Sequence, residues 1–193
     1  MSTQDSRIKI KRSTVSATVP TVAPSTDHTQ PSPAWSATDI YKGELFINQA
    51  DNVVWSRGDD GVFCISGNVK KVLTKAELLA LNTTPITVVP AVSGYAIEVI
   101  SASVRNQSRF FPYATNLNLQ LLTDTATKAQ FDNAKILLTS VQAFWKMSAV
   151  QATSATDTQL IENKALTATI ETGDPTSGGD EVELHVNYRL IPA

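Results

Sequence analysis

"EVELHVNYRLI", residues 181–191, decides the fold class of this 193-residue chain. Its apolar and polar residues alternate without interruption, and the apolar set is Val182, Leu184, Val186, Tyr188 and Leu190. Because successive side chains of a β-strand point to opposite faces, this pattern predicts a strand with one face in a core and the other toward solvent.

The same alternation recurs through the C-terminal half. The residues predicted to point inward are Leu117, Leu119 and Leu121 in "NLNLQLL" and Leu166, Ala168 and Ile170 in "KALTATIE". Together with "YAIEVISASV" and shorter runs, about seven strands alternate with clusters such as "TGDPTSGGD". The chain is therefore predicted to be all-β, with a jelly-roll-like β-sandwich over residues 85–193; an immunoglobulin-like sandwich is the alternative.

A second group of strands precedes the sandwich. In "KGELFINQADNVVWSRGDDGVFCIS", residues 42–66, strands Gly43–Asn48, Asn52–Arg57 and Gly61–Ser66 are separated by Asp, Asn and Gly turns, which predicts a β-meander over residues 38–68. The following "LTKAELLALN" has Thr74 and Glu77 at capping-box spacing, so residues 69–84 are predicted to be a helical connector.

The N-terminal 37 residues predict an extended arm. "RIKIKR" alternates Ile8 and Ile10 with basic residues, which suits a short half-buried strand. From Ser13 to Ala37 the sequence is rich in Ser, Thr, Pro and Ala and has no helical or strand period. Because a lone strand and a small meander bury little surface, both are expected to pair with another subunit or a larger assembly.

Composition excludes several function classes. The net charge of −2 argues against nucleic-acid binding through a broad basic surface. No stretch approaches the roughly 20 apolar residues of a membrane span, and the N-terminus lacks the apolar region of a secretory signal. We expect a protein made in a cytoplasm without membrane insertion. The single cysteine, Cys64, is expected to be a buried apolar thiol on a strand.

No catalytic constellation can be written from the residues. The two histidines, His28 and His185, are not placed for a Ser-His-Asp arrangement, and no transition-metal spacing is present. The acidic pairs beside glycines, at Asp59 and at Asp180, suit turns, although a calcium site at the first remains an alternative. We therefore expect no enzyme activity, no cofactor and no metal; a depolymerase with paired acids is the enzymatic alternative.

An aromatic segment offers a binding candidate. "RNQSRFFPYATN" brings Arg109, Phe110, Phe111 and Tyr113 into a predicted inter-strand loop. Phe110 and Phe111 are interpreted as plugging the end of the sandwich or a subunit interface, and contact of this segment with a receptor or glycan is the alternative.

The N-terminal third resembles the attachment segment of tailed-bacteriophage fibre proteins. The matching positions are Arg12, Ser13, Thr14, Gly43, Glu44, Asn48, Ala50, Asp51, Asp60 and Gly61. Val53-Val54-Trp55 and the longer Pro-rich gap depart from the usual form of that segment. The C-terminal part is similar, more loosely, to β-sandwich modules of phage structural proteins. The resemblance implies a homotrimer that docks on the virion by its N-terminal segment and displays its C-terminal domain.

The resulting hypothesis is a virion structural protein, a short trimeric fibre or spike on the head or the tail, with capsid, portal or tail proteins as partners. Capsid decoration and receptor or glycan binding are the alternatives. The residues predicted to pack in the anchor are Ile8, Ile10, Arg12, Leu45, Ile47 and Trp55. Closed cyclic symmetry is the natural expectation for such an appendage.

Overall fold

The computed structural model describes residues 10–23, 36–106, 113–115, 118–124, 131–133, 144–149, 161–179 and 181–192. These residues form β-strands and one short helix, which confirms the all-β prediction. Two compact units divide the chain, residues 1–67 and residues 68–193. No helix among the described residues has the length and apolar composition needed to span a membrane.

The first unit is a small sheet with an added strand pair. Its strands are β1 (Lys11–Ser13), β2 (Thr21–Val22), β3 (Asp39–Ile40), β4 (Leu45–Asn48), β5 (Val53–Arg57) and the first part of β6 (Val62–Leu73). The sheet order is β1-β4-β5-β6, with β4, β5 and β6 antiparallel as predicted for a meander. β2 and β3 pair in parallel beside it.

The N-terminal strand differs from its prediction in position and in partner. β1 begins at Lys11, after Ile10, and it pairs in parallel with β4 of the same chain. A parallel pair needs a long crossover connection, and the segment between Ser13 and Leu45 supplies it. That segment also contains β2, which pairs with β3. Part of the stretch predicted to lack regular structure is therefore a β-strand. Sequence alternation located a strand near here but could not identify its partner.

The second unit is a two-layered sandwich. One sheet has the order β6-β14-β8-β11, and the other has the order β12-β10-β9-β13-β7. The elements are α1 (Lys75–Leu79), β7 (Ile86–Val89), β8 (Tyr95–Asn106), β9 (Leu119–Leu122), β10 (Phe131–Asn133), β11 (Phe144–Lys146), β12 (Ser148–Ala149), β13 (Leu166–Ile170) and β14 (Val182–Pro192).

The strand order is that of a jelly roll. When β6 to β11 are lettered B to G and β13 and β14 are lettered H and I, the two sheets read B-I-D-G and C-H-E-F, with β12 added beside F. This is the double Greek-key arrangement of jelly rolls. The immunoglobulin alternative has a different strand order. Residues 68–73 supply strand B, so the unit begins before the predicted start of the sandwich at residue 85.

The core of the second unit follows the predicted alternation. β14 buries its apolar face, and Leu119, Leu121, Leu166, Ala168 and Ile170 are each 0% exposed. Leu117 lies outside the described residues. The inward side chains of β14 are Val182, Leu184, Val186, Tyr188 and Leu190. Burial of these side chains supplies the main stabilisation of the sandwich.

The connector after β6 contains the predicted helix. Thr74 Oγ1 accepts from Glu77 N at 3.3 Å and Glu77 Oε2 accepts from Thr74 N at 2.7 Å, so the capping box is confirmed. Asp174 then fixes the chain after the helix by accepting hydrogen bonds from the main-chain N–H groups of Asn82 and Thr83. The connector is thereby part of the second unit rather than a spacer.

A glycine contact tests the packing of the second unit. Gly178 has φ +114° and faces the ring of Tyr113, so a Cβ built there would lie 2.4 Å from Tyr113 Cδ1. We expect Gly178→Ala to lower the free energy of unfolding by roughly 2–4 kcal/mol, because overpacking adds to backbone strain. Gly94→Ala is the matched control, since Gly94 has φ +76° and open space around it; it should cost about 1 kcal/mol. Equal losses in chemical denaturation would contradict the packing role.

Candidate functional site

The sheet of the first unit has two chemically different faces. Opposed residues on neighbouring strands share a face. Lys11, Phe46, Trp55 and Cys64 form one such row across the sheet. Phe46 and Trp55 are 0% and 1% exposed, and Cys64 is buried as expected, so this row belongs to the core of the unit.

The opposite face is apolar and open. One row contains Arg12, Ile47 and Val54, and the next contains Leu45, Ser56 and Phe63. A bulge in the pairing of β5 with β6 leaves Ile65 between the rows, with its side chain also outside. The outer face is defined here as Arg12 together with the apolar residues Leu45, Ile47, Val54, Phe63 and Ile65; the same rows also contain Ser56 and Ser66.

Exposure of the outer face is concentrated at one edge. Phe63 and Ile65 are each 47% exposed, whereas Leu45, Ile47 and Val54 are partly covered by their neighbours. Arg12 is exposed on β1 at the other edge and contributes the only charge of the face. Large apolar side chains clustered on one exposed surface are typical of protein interaction sites.

Two polar side chains hold the loop after β1 against the sheet. Asn48 is 1% exposed and donates through Nδ2 to the carbonyl oxygens of Val15 and Thr18, at 3.1 and 3.2 Å. Asp51 accepts from Ala17 N at 2.6 Å and from Ser16 Oγ at 2.7 Å. We call this pair the Asn48–Asp51 clasp; the two side chains also contact each other at 2.9 Å.

The clasp explains part of the sequence resemblance in physical terms. Asn48 Oδ1 also accepts from the N–H groups of Ala50 and Asp51, which forms the turn between β4 and β5. Asn48, Ala50 and Asp51 are all motif positions. They therefore shape one turn and fix the N-terminal strand to it. The sequence revealed the motif but not this role.

A second polar group ties β1 to β3. The Lys11 ammonium donates to the carbonyl oxygen of Asp39, lies 3.9 Å from Glu44 Oε2 and lies 5.8 Å from the centroid of the Tyr41 ring. The Asp39 carboxylate accepts from Ser36 N at 2.6 Å and from Thr21 Oγ1 at 2.5 Å. These hydrogen bonds, first that from Ser36 and then that from Thr21, hold the pKa of Asp39 below its usual value.

Glycine conformations account for two further motif positions. Gly43 has φ +80° and Gly61 has φ +119°, a region that side chains with a Cβ rarely adopt. Gly43 N donates to the carbonyl oxygen of Arg57 at 2.9 Å, and Gly61 O accepts from Gly58 N at 2.9 Å. Both glycines therefore lie at turns that flank the outer face.

The predicted anchor residues are divided between the two faces. Arg12, Leu45 and Ile47 lie on the outer face, whereas Trp55 lies in the core. Ile10 precedes β1 and is 42% exposed. Ile8 lies outside the described residues.

The other predicted contacts do not form one described site. Arg109, Phe110 and Phe111 lie outside the described residues. Tyr113 is 2% exposed and packs against Gly178. No group of three or more His, Cys, Asp or Glu that could hold a metal occurs in the described ranges.

Sequence reasoning missed Val54, Phe63 and Ile65 as members of the outer face. Strict alternation in "GVFCIS" places Phe63 and Ile65 together on the face opposite to Cys64, but it does not show which of the two faces is buried. The sequence did contain one signal for this surface. β6 has more large apolar residues than the small core of the first unit can bury.

The clasp makes a direct prediction. We expect Asp51→Ala to lower the amide exchange protection of Ala17 by about tenfold or more, because a hydrogen bond to a charged group contributes about 1.5–3 kcal/mol. Asp59→Ala is the matched control, since Asp59 is an exposed partner of Lys42. Unchanged protection of Ala17 in the Asp51 variant would rule out the clasp.

The lowered pKa of Asp39 gives the second prediction for this site. A depressed folded-state pKa contributes stability above the unfolded-state value and loses it as the pH falls through the folded-state value. We expect the β2–β3 pair to lose amide protection below about pH 4, and Asp39→Asn to remove that part of the pH dependence. Equal acid sensitivity of both proteins would contradict this assignment.

Comparison with known proteins adds little to this geometry. The sequence matches no family model and no curated protein. Among solved structures, the chain is similar to a chain of the cyanophage Pam1 capsid asymmetric unit, with 15% identity, a TM-score of 0.37, and coverage of 87% of this chain and 99% of that chain. The interpretation of the outer face rests on its own residues.

Proposed function

We propose that this chain is a non-enzymatic bacteriophage virion structural protein. Its first unit docks on the particle, and its jelly-roll unit is displayed. The observation that carries the proposal is the outer face, where Phe63 and Ile65 expose nearly half of their surface beside Leu45, Ile47 and Val54. In line with the resemblance of the N-terminal third, we propose a homotrimeric short fibre or spike on the head or tail.

The composition of the outer face favours a protein partner. Cores of protein interfaces are apolar, aromatic and poor in charge, with arginine as the tolerated cation. The outer face has one aromatic residue, four aliphatic residues and Arg12 as its only charge. We therefore propose that the partner is another virion protein that presents apolar side chains bordered by a carboxylate opposite Arg12.

The motif residues also support a docking role for the first unit. Asn48 and Asp51 hold the loop that follows Arg12, and Gly43 and Gly61 form turns beside the outer face. Each therefore fixes the shape of the surface without being part of it. Such residues suit a docking surface that must be preorganised before it meets its partner.

Particle incorporation tests the proposal. We expect Phe63→Asp with Ile65→Asp to reduce the copies found in purified virions about tenfold or more, because a buried unpaired carboxylate is costly at an interface. Quantitative immunoblotting of virions from cells in which the variant is the only source of this protein gives the measurement. Val22→Asp is the matched control, since Val22 is in the same unit and 49% exposed but lies on β2.

A second variant separates docking from folding. Arg12→Glu reverses the charge of the outer face without removing apolar surface, so it should also reduce incorporation while leaving the thermal midpoint unchanged. Normal incorporation of both variants would overturn the docking role. Labelled-antibody imaging of virions then distinguishes a fibre from a capsid decoration protein.

A further inference from the structure

The jelly-roll unit has an outward face of a different chemistry. On the sheet β6-β14-β8-β11, His185 is opposite Ser103, and Ser103 is opposite Lys146. Glu183 is opposite Arg105. These side chains point outward because the residues between them, including Leu184 and Val104, are buried in the core.

A buried carboxylate organises the cations of this face. The side chain of Glu183 is 10% exposed, and its oxygens lie 2.7 Å from Lys70 Nζ, 3.6 Å from Arg105 Nη1 and 3.5 Å from His185 Nε2. The hydrogen bond from Lys70 is the main cause that holds the pKa of Glu183 below its usual value. Glu183 therefore stays ionised beneath its partners.

The cations themselves remain accessible. The side chain of Lys70 is 51% exposed and that of Arg105 is 47% exposed, and Lys146 is exposed as well. Three cations and one carboxylate leave two positive charges on this face, although the whole chain has a net charge of −2. The face is thus a local positive surface on an acidic protein.

Neutral hydrogen-bonding groups extend this surface. Asn187 Nδ2 donates to Ser101 Oγ at 3.0 Å, and Asn68 Nδ2 donates to Asn187 Oδ1 at 2.5 Å. The row of His185, Ser103 and Lys146 and the pair of Asn187 and Ser101 are polar, whereas Phe144 is opposite Arg105 in the next row and Ile100, 57% exposed, precedes Ser101 on β8. The centre of the surface is therefore polar, unlike the core of a protein interface.

The spacing of the cations favours a polymer with repeated anionic groups. Lys70 is on β6 and Lys146 is on β11, three strand spacings apart, which corresponds to about 14 Å. One small anion cannot contact both lysines. A hydrated chain with several carboxylates can contact both and also use the hydroxyl and amide groups between them.

We propose that this face, formed by Lys70, Arg105, Lys146 and His185 around Glu183, binds an anionic, carboxylate-bearing polysaccharide. Ion pairs with the exposed cations supply the attraction, which weakens as salt screens them. Ser101, Ser103 and Asn187 supply hydrogen bonds to sugar hydroxyls. This inference does not depend on the docking role of the first unit.

Binding to polygalacturonate tests the inference with the full-length protein. We expect Lys70→Gln with Lys146→Gln to weaken binding at low ionic strength by about tenfold or more. The double variant keeps Arg105 as a partner of Glu183, so the buried carboxylate is not left alone. Lys42→Gln with Lys164→Gln is the matched control, because these lysines pair with Asp59 and Asp124 and the charge change is the same.

Three outcomes are decisive. Loss of polygalacturonate binding in the Lys70 and Lys146 variant, with an unchanged thermal midpoint and normal binding by the control, supports the proposal. Equal loss in both variants, or no binding by the unmodified protein, overturns it. Binding of poly-L-glutamate as tight as that of polygalacturonate also overturns it, because the face would then recognise charge on a polypeptide. If the double variant melts early, Lys146→Gln alone gives the same test, since Lys146 is not among the groups that contact Glu183.

Discussion

The two-residue period of the strands gives every sheet of this chain a second face, and the composition of that face distinguishes the two units. In the first unit, burial of Phe46 and Trp55 on one side forces Leu45, Ile47 and Val54 to the other. In the second unit, burial of Leu184 and Val104 turns Glu183, His185 and Arg105 outward. Alternation alone would permit polar residues on the outward face of the sheet in either unit. The apolar outer face of the first unit is therefore a property of this sequence that folding of the sheet does not require.

The sequence predicted those features that depend on local periodicity. The inward residues of β14, β9 and β13 and the capping box at Thr74 all follow from spacings of two to four residues. The jelly-roll class followed from the number and spacing of such strands, and the strand order confirms it. Where one face of a strand is buried, the local pattern is sufficient to predict which residues point inward. A shift of the strand register by one residue would expose the whole apolar set.

Features that depend on distant pairing were not predictable in the same way. The parallel partner of β1 is separated from it by the whole Ser13–Leu45 connection, and alternation in "RIKIKR" contains no information about that partner. The bulge at Ile65 and the burial of Glu183 likewise depend on neighbours from other strands. Of the residues predicted to pack in the anchor, Arg12, Leu45 and Ile47 lie on the outer face and Trp55 lies in the core, a division that depends on how the strands pair.

The proposed docking of the first unit is related to the small size of its core. A domain with few large buried side chains is only marginally stable, and in this unit those side chains are chiefly Ile40, Phe46 and Trp55. A partner that binds the folded form stabilises it by mass action. Burial of the outer face would add apolar area to the same sheet whose inner side forms the core, and hydrogen bonds of the Asn48–Asp51 clasp keep that sheet in register beforehand. The proposed docking would therefore be coupled to the stability of the first unit through one sheet.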